Sequence, residues 1–493
     1  MELNIPSTYK STMKRCADWF RDIKRPLLIL FILYFLGTFA IIRANFMYMD
    51  DLARVSTGYR RWTNFSRYLS EYLSPFIHGD VYLTDVSPLP QLLALLICAL
   101  SGICTIRVIA PEKKITFLML VASLPICLNP YFLQCLSYKY DSPYMALSIL
   151  LSIVPLLFRD KNPISYLLVS MLGILGVCTS YQASMGIYPT LVILTALLDW
   201  NSGKNVFHVI RFIVVSALSF ALTLLLFNLF IANPVETYVN TTLLPMESML
   251  PGAVKNLTEY FKHVRGEFEK EWLVLMAVIA VCFVIACVAN TRRNSALVLI
   301  LALTAVILML LLTFGGYPLL AKPSYSNRGK YGICVMLGFL IVAVCTSPKA
   351  YLGKLASVAL AWCFFIFAFA YGNGLYVQAQ YTDFRASMVA EDLAELECVQ
   401  SGETVTVHIN GTIGLAPAVQ NAKAHHTLLR TIYIPLNDDG WWGSYGLIHF
   451  YGLDNLKHGD FTDPSVLQDA VCTVDNAYHA LYTKDQNVYI LLK

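Results

Sequence analysis

The chain alternates long apolar stretches with short polar ones. A hydrocarbon layer of ~30 Å needs about 20 mostly apolar residues per helix. That template predicts spans at 26–43, 89–110, 115–129, 143–158, 164–180, 186–199, 212–232, 272–290, 296–314, 332–347 and 354–371, eleven in all, the third, fourth and sixth being short. From about Gly372 the pattern changes. Charges become frequent and period-two alternation runs through Thr404-Val405-Thr406-Val407-His408-Ile409 and Asn487-Val488-Tyr489-Ile490-Leu491-Leu492, with a helical stretch from Phe384 to Cys398. Strands have period two and helices 3.6. The expected fold is therefore mainly α, a polytopic transmembrane bundle of about eleven spans (26–371) after an N-terminal tail (1–25), followed by a small α/β domain (372–493).

Composition agrees. Of 493 residues 57% are apolar and 14% charged, where soluble chains carry about 25% charged. A net charge of +4 without a basic cluster gives no reason to expect nucleic acid. The first apolar run ends Ile41-Ile42-Arg43-Ala44-Asn45, without a small-residue cleavage site, and reads as a retained signal anchor. No CxxC occurs among the 13 cysteines, most of which lie in apolar stretches as small hydrophobes. Cys398 and Cys472 would bridge in an oxidising compartment or stay free, and their spacing does not decide.

Lysine and arginine give the orientation. The tail holds Lys10, Lys14, Arg15, Arg21, Lys24 and Arg25, and alternate turns hold Arg107/Lys113/Lys114, Arg159/Lys161, Lys204/Arg211, Arg292/Arg293 and Lys349/Lys354. With those turns and the N-terminus cytoplasmic, loops 44–88, 130–142, 181–185, 233–271 and 315–331 and the terminal domain lie outside. The span centres carry no Asp, Glu, Lys or Arg, which counts against an ion-coupled transporter.

Candidate chemistry lies in those outside loops. The first opens Tyr48-Met49-Asp50-Asp51-Leu52-Ala53-Arg54, then carries an amphipathic stretch in which Trp62, Phe65, Leu69 and Leu73 oppose Arg60, Arg67 and Glu71. Such a helix would lie in the membrane interface. A solvated turn is the plain alternative for Asp50-Asp51. The second loop, Ser137-Tyr138-Lys139-Tyr140-Asp141-Ser142-Pro143, offers Asp141 and Lys139, with helix capping as the plain role for Asp141. The loop at 315–331 holds Lys322, Tyr325, Arg328 and Lys330 and no acid, which suits an anionic lipid phosphate. His78 and Asp85 precede the second span and would line the same cleft. Trp441-Trp442 with Asp438-Asp439 would contact sugar or form a packed turn.

This order of parts resembles the GT-C class of lipid-linked glycosyltransferases. More narrowly, Tyr48-Met49-Asp50-Asp51-Leu52-Ala53-Arg54, Asp85-Val86-Ser87-Pro88-Leu89 and Ser137-Tyr138-Lys139-Tyr140-Asp141-Ser142-Pro143 resemble bacterial Gtr-type glucosyltransferases that modify O antigen, over roughly residues 25–375. The resemblance implies a polyprenyl-phosphate glucose donor, a lipid-linked oligosaccharide acceptor, inversion at the sugar carbon and a place in the bacterial inner membrane. It further implies a lipid flippase and a polyprenyl-phosphate glucosyltransferase as functional partners. Asp50 or Asp51 would take the acceptor proton, Asp141 and Lys139 would orient substrate, Arg54, His78 and Asp85 would line the site, and Lys322, Tyr325, Arg328 and Lys330 would receive the phosphate. No cofactor is required; a divalent metal is compatible but not demanded. A flippase, exporter or polymerase of lipid-linked oligosaccharides is the competing reading.

Overall fold

The computed structural model describes residues 7–235, 242–433, 446, 449–461 and 464–493, with side chains from residue 18. The Asp438-Asp439 and Trp441-Trp442 pairs lie outside the described residues. Each of the eleven apolar stretches coincides with helix, but not all alike. Among the described residues, eight helices are long and apolar enough to cross a bilayer: Asp18–Ala44, Leu89–Ile109, Pro163–Ser180, Gln182–Asn201, Val206–Ile231, Lys270–Ala289, Ser295–Leu312 and Tyr351–Ala394. This is an integral membrane protein. Ser142–Phe158 and Gly332–Thr346 are shorter, and the third stretch is a helix pair, Phe117–Ile126 and Pro130–Ser137, bent by 71°.

Asn129 makes that bend. Its side-chain oxygen accepts from Phe132 N at 2.9 Å, capping the second helix, while its amide donates to the carbonyls of Pro125 and Ile126 at 3.0 and 3.2 Å. Pro130 brings no N–H to satisfy. Every residue from Leu124 to Ser137 is buried, which is where irregular backbone can persist at membrane depth.

The connecting segments sort to two ends. At one end the basic turns meet: Arg159 pairs with Asp199 at 3.4 Å, Lys204 with Asp160 and Asp199 at 3.2 and 2.9 Å, and the Arg293 guanidinium donates to Lys204 O at 2.8 Å. At the other end, segments 44–88, 138–141, 181–185 and 315–331 come together, with part of the terminal region on top. Tyr48 donates to Ile432 O at 2.5 Å and Asn327 to Thr431 at 2.7 Å.

The expected boundary at Gly372 falls inside one unbroken helix, Tyr351–Ala394. It leaves the bundle and forms one wall of the terminal unit, where Ala386, Val389 and Leu393 pack on a sheet. That sheet comprises β1 (Val405–Asn410), β2 (Leu456–Gly459), β3 (Val471–Asp475), β4 (His479–Lys484) and β5 (Asn487–Leu492), in the order β2-β1-β5-β4-β3. Both alternating stretches read from sequence are strands, and they pair parallel as β1 and β5. Cys398 and Cys472 are free thiols.

At Gly372 the Tyr351–Ala394 helix packs closely on the first helix. A Cβ there would lie 2.5 Å from Ala40 C and Ile41 N, both backbone atoms that cannot rotate away. Gly372→Val should therefore cost about 1–3 kcal/mol, seen as a lower melting midpoint of the detergent-solubilised protein.

Candidate active site

The Asp50–Thr57 helix starts at a sharp turn in which Asn45 and Met49 both hold φ of 46°. Non-glycine residues adopt such values sparingly, and surrounding contacts must enforce them. Asp51 ties this turn at Tyr48. Its carboxylate is wholly buried, and Oδ2 accepts from the backbone N–H of Tyr48 at 3.2 Å and of Lys139 at 3.0 Å. Burial pushes its pKa up to about 8 against the opposing pull of Arg54 and the Lys139 N–H. Asp51 is thus a fastener between two loops.

Asp50 differs. It is partly exposed and accepts no hydrogen bond among the described residues. Burial raises its pKa and the Asp141 charge adds to that, while Arg54, Arg328 and Arg67 draw it down. One helical turn later, Arg54 forms a buried ion pair with Asp141 and lies 4.6 Å above the Trp62 ring. Trp62 Nε1 donates to the other Asp141 oxygen. Burial works against the Asp141 charge, but Arg54 and Trp62 together hold its pKa below the usual carboxylate value.

Behind this pair, Lys139 is buried and its ammonium meets Asp85 at 3.1 Å. His78 stacks on Tyr140 at 5.3 Å, and its Nδ1 contacts Thr84 O at 3.0 Å. Lys139 and Asp85 are therefore held by each other, and His78 by Thr84 and Tyr140.

The cationic loop divides. Arg328 sits on a 3₁₀ turn (Asn327–Gly329), its guanidinium 4.8 Å over the Tyr138 ring and without an acidic ion-pair partner among the described residues. Gln134 fixes it beside the first loop: its oxygen accepts from Arg328 N at 3.1 Å and its amide donates to the Tyr48 hydroxyl at 2.9 Å. Lys330 instead points into the protein, fully buried against Glu267. Tyr325 stacks on His263 and leans on Tyr260. Lys322 is exposed.

The structure thus brings together Asp50, Arg54, Asp141 and Arg328, with Asp51 beneath, and holds Lys330, Tyr325 and Lys322 apart. Sequence reasoning missed Arg67, whose charge reaches both Asp50 and Asp141 and which lies 4.9 Å over the Tyr181 ring. It appeared only as the polar face of an amphipathic stretch. Glu267 gave no signal at all.

Among the mouth acids, Asp51 Oδ2 accepts from two backbone N–H groups while its Oδ1 is buried without a partner, and Asp141 is held by Arg54 and Trp62. Among the described residues, the side chains spaced to hold a metal are Asp160, Asp199 and His208 at the opposite end. There the Lys204 ammonium already stands between the two carboxylates.

No solved structure matches this chain. An uncharacterized 55.3 kDa protein in the gtrB 5′ region of Salmonella phage P22 is 30% identical over 190 residues, 36% of this chain and 38% of that relative's length. The family model for glucosyl transferase GtrII matches residues 39–345, from the end of the first span through the Arg328 turn and more than half of the 493 residues, so the chain belongs to the GtrII glucosyl transferase family.

Proposed function

We propose that this protein transfers a glucosyl residue from polyprenyl-phosphate glucose to a lipid-linked O-antigen or lipopolysaccharide acceptor, with inversion, and that Asp50 is the general base. The reaction runs at the periplasmic face of the bacterial inner membrane, in a GT-C-like bundle whose N-terminus is cytoplasmic and whose terminal domain is periplasmic. Gathering of the basic turns at the end opposite Asp50 supports that orientation. A flippase and a polyprenyl-phosphate glucosyltransferase would supply the donor.

One observation carries the assignment. Among the described residues Asp50 is partly exposed and accepts no hydrogen bond, whereas Asp51 and Asp141 are buried and engaged. In the reaction, an acceptor hydroxyl oxygen forms a bond to the sugar C1 and its proton passes to Asp50. The bond from C1 to the phosphate oxygen breaks with its electron pair, leaving polyprenyl phosphate with added negative charge beside Arg328. Arg54, fixed by Asp141, keeps Asp50 ionised in a partly desolvated place. Lys139, Asp85 and His78 support the wall behind it.

The test is transfer of labelled glucose from polyprenyl-phosphate glucose to lipopolysaccharide precursors in membranes containing the protein. Label in the acceptor, dependent on the chain, is the expected result. Failure with donor and acceptor both present would overturn the reading. Because burial raises the Asp50 pKa, activity should fall on the acid side at a pH above the ordinary carboxylate value of about 4. A pH–rate profile measures this.

A further inference from the structure

Two buried charges that the reaction above does not use lie next to its phosphate-binding cation. Lys330 is fully buried, and its ammonium contacts both oxygens of Glu267, at 2.5 and 2.7 Å. Tyr131 donates to the same carboxylate at 2.5 Å, and the ammonium lies 5.1 Å over the Tyr131 ring. A buried ion pair of this kind costs much of its Coulomb gain in desolvation, so stability alone is a weak reason to keep it. Here it joins three separate parts of the chain: the turn that carries Arg328, the second half of the bent pair (Pro130–Ser137) and the end of the Met249–Glu267 helix.

That helix braces the cationic loop along its length. Asn256 donates to Pro318 O and Leu320 O at 2.9 and 3.0 Å, and Tyr260 donates to Ser324 O at 2.7 Å. Glu267 closes the row two residues beyond Arg328. The Arg328 backbone has two further ties, from Gln134 and from the Tyr181 hydroxyl. Its guanidinium lies over the Tyr138 ring, and among the described residues no acid pairs with it. The turn is tied to the Met249–Glu267 helix through Lys330, to the first loop through Gln134 and to Thr431 through Asn327.

We infer that Glu267 and Lys330 form a positioning pair that sets the height of the Arg328 guanidinium for the phosphate of the lipid-linked donor. This rests on the reading of Arg328 as the phosphate's partner. Removing one member leaves the other as an unpaired buried charge, which the turn relieves by shifting. The guanidinium then moves with it, and the donor loses a charge-assisted contact without loss of the base.

The experiment compares the donor KM, acceptor KM and kcat of the full-length enzyme with those of three variants: Arg328→Gln, Glu267→Gln, and Glu267→Gln combined with Lys330→Met. The double variant buries no charge and so guards against a folding failure. Arg328→Gln should raise the donor KM by about tenfold or more, with the acceptor KM unchanged. Glu267→Gln and the double variant should do the same, and inhibition by polyprenyl phosphate alone should weaken in parallel. If Arg328→Gln raises the donor KM and the folded double variant keeps the wild-type value, the positioning role is overturned while the phosphate reading stands. If Arg328→Gln itself leaves the donor KM unchanged, the phosphate reading falls and the inference with it. A drop confined to kcat in the Glu267 variants would also overturn the positioning role.

Discussion

Asp50→Asn is expected to reduce glucosyl transfer by about 10³-fold in protein that inserts and folds normally, while Asp51→Asn keeps most of the activity. The two residues are neighbours and chemically identical, so the contrast comes from where the helix start points them. Asp50 is partly exposed and, as the proposed base, is the group that would accept the proton. An amide in its place cannot, and the acceptor hydroxyl must lose its proton unaided. Asp51 is wholly buried. Its Oδ2 accepts from Tyr48 and Lys139, and the oxygen of an asparagine can do the same. With its pKa at about 8, Asp51 is protonated at neutral pH, so asparagine copies the species already present.

A pH signature separates the two further. The folded pKa of Asp51 lies above the ordinary unfolded value of about 3.9, so the folded protein holds this proton more tightly than the unfolded chain does. Stability from this group is complete below about pH 4, falls as the pH rises, and is lost once the pH passes about 8. Asp51→Asn removes that decline. Its melting midpoint relative to wild type should climb between pH 5 and pH 9. Equal losses of transfer in both single variants would refute the division of labour.

The parts legible in sequence were those governed by the solvent. A membrane demands long apolar helices, and it demands them wherever the chain crosses, so every predicted stretch is helical. The bend at Asn129 was written in Leu128-Asn129-Pro130, yet a window that counts apolar residues reads across it. The domain boundary at Gly372 was drawn where charges begin, but a helix leaving a bilayer can change its surface without changing its backbone. At the site, Arg328 and Lys330 look equivalent in a basic loop. Which one stays free depends on Glu267, 63 residues earlier, and no local pattern shows that. Likewise the pairing of Arg54 with Asp141 spans 87 residues. Sequence named these acids and cations but could not show which of them are paired with one another and which are not.

The Arg54–Asp141 pair supplies the second large effect. Both groups are buried, and Trp62 is the remaining polar contact of the carboxylate. Arg54→Gln takes from Asp141 its ion-pair partner, as Asp141→Asn does from Arg54, and each should cost up to about 3–5 kcal/mol of stability. Both single variants should therefore melt far lower than wild type and lose transfer. These data alone would not separate folding from catalysis. The combination Arg54→Met with Asp141→Leu removes both charges and fills similar volume, and replacements of that kind are often neutral or stabilising. It should recover the melting midpoint and still fail to transfer glucose, because Asp50 no longer has the guanidinium that keeps it ionised. Recovery of both stability and transfer would mean that the pair only holds the first loop to the second. Recovery of stability alone places Arg54 in the electrostatics of the reaction.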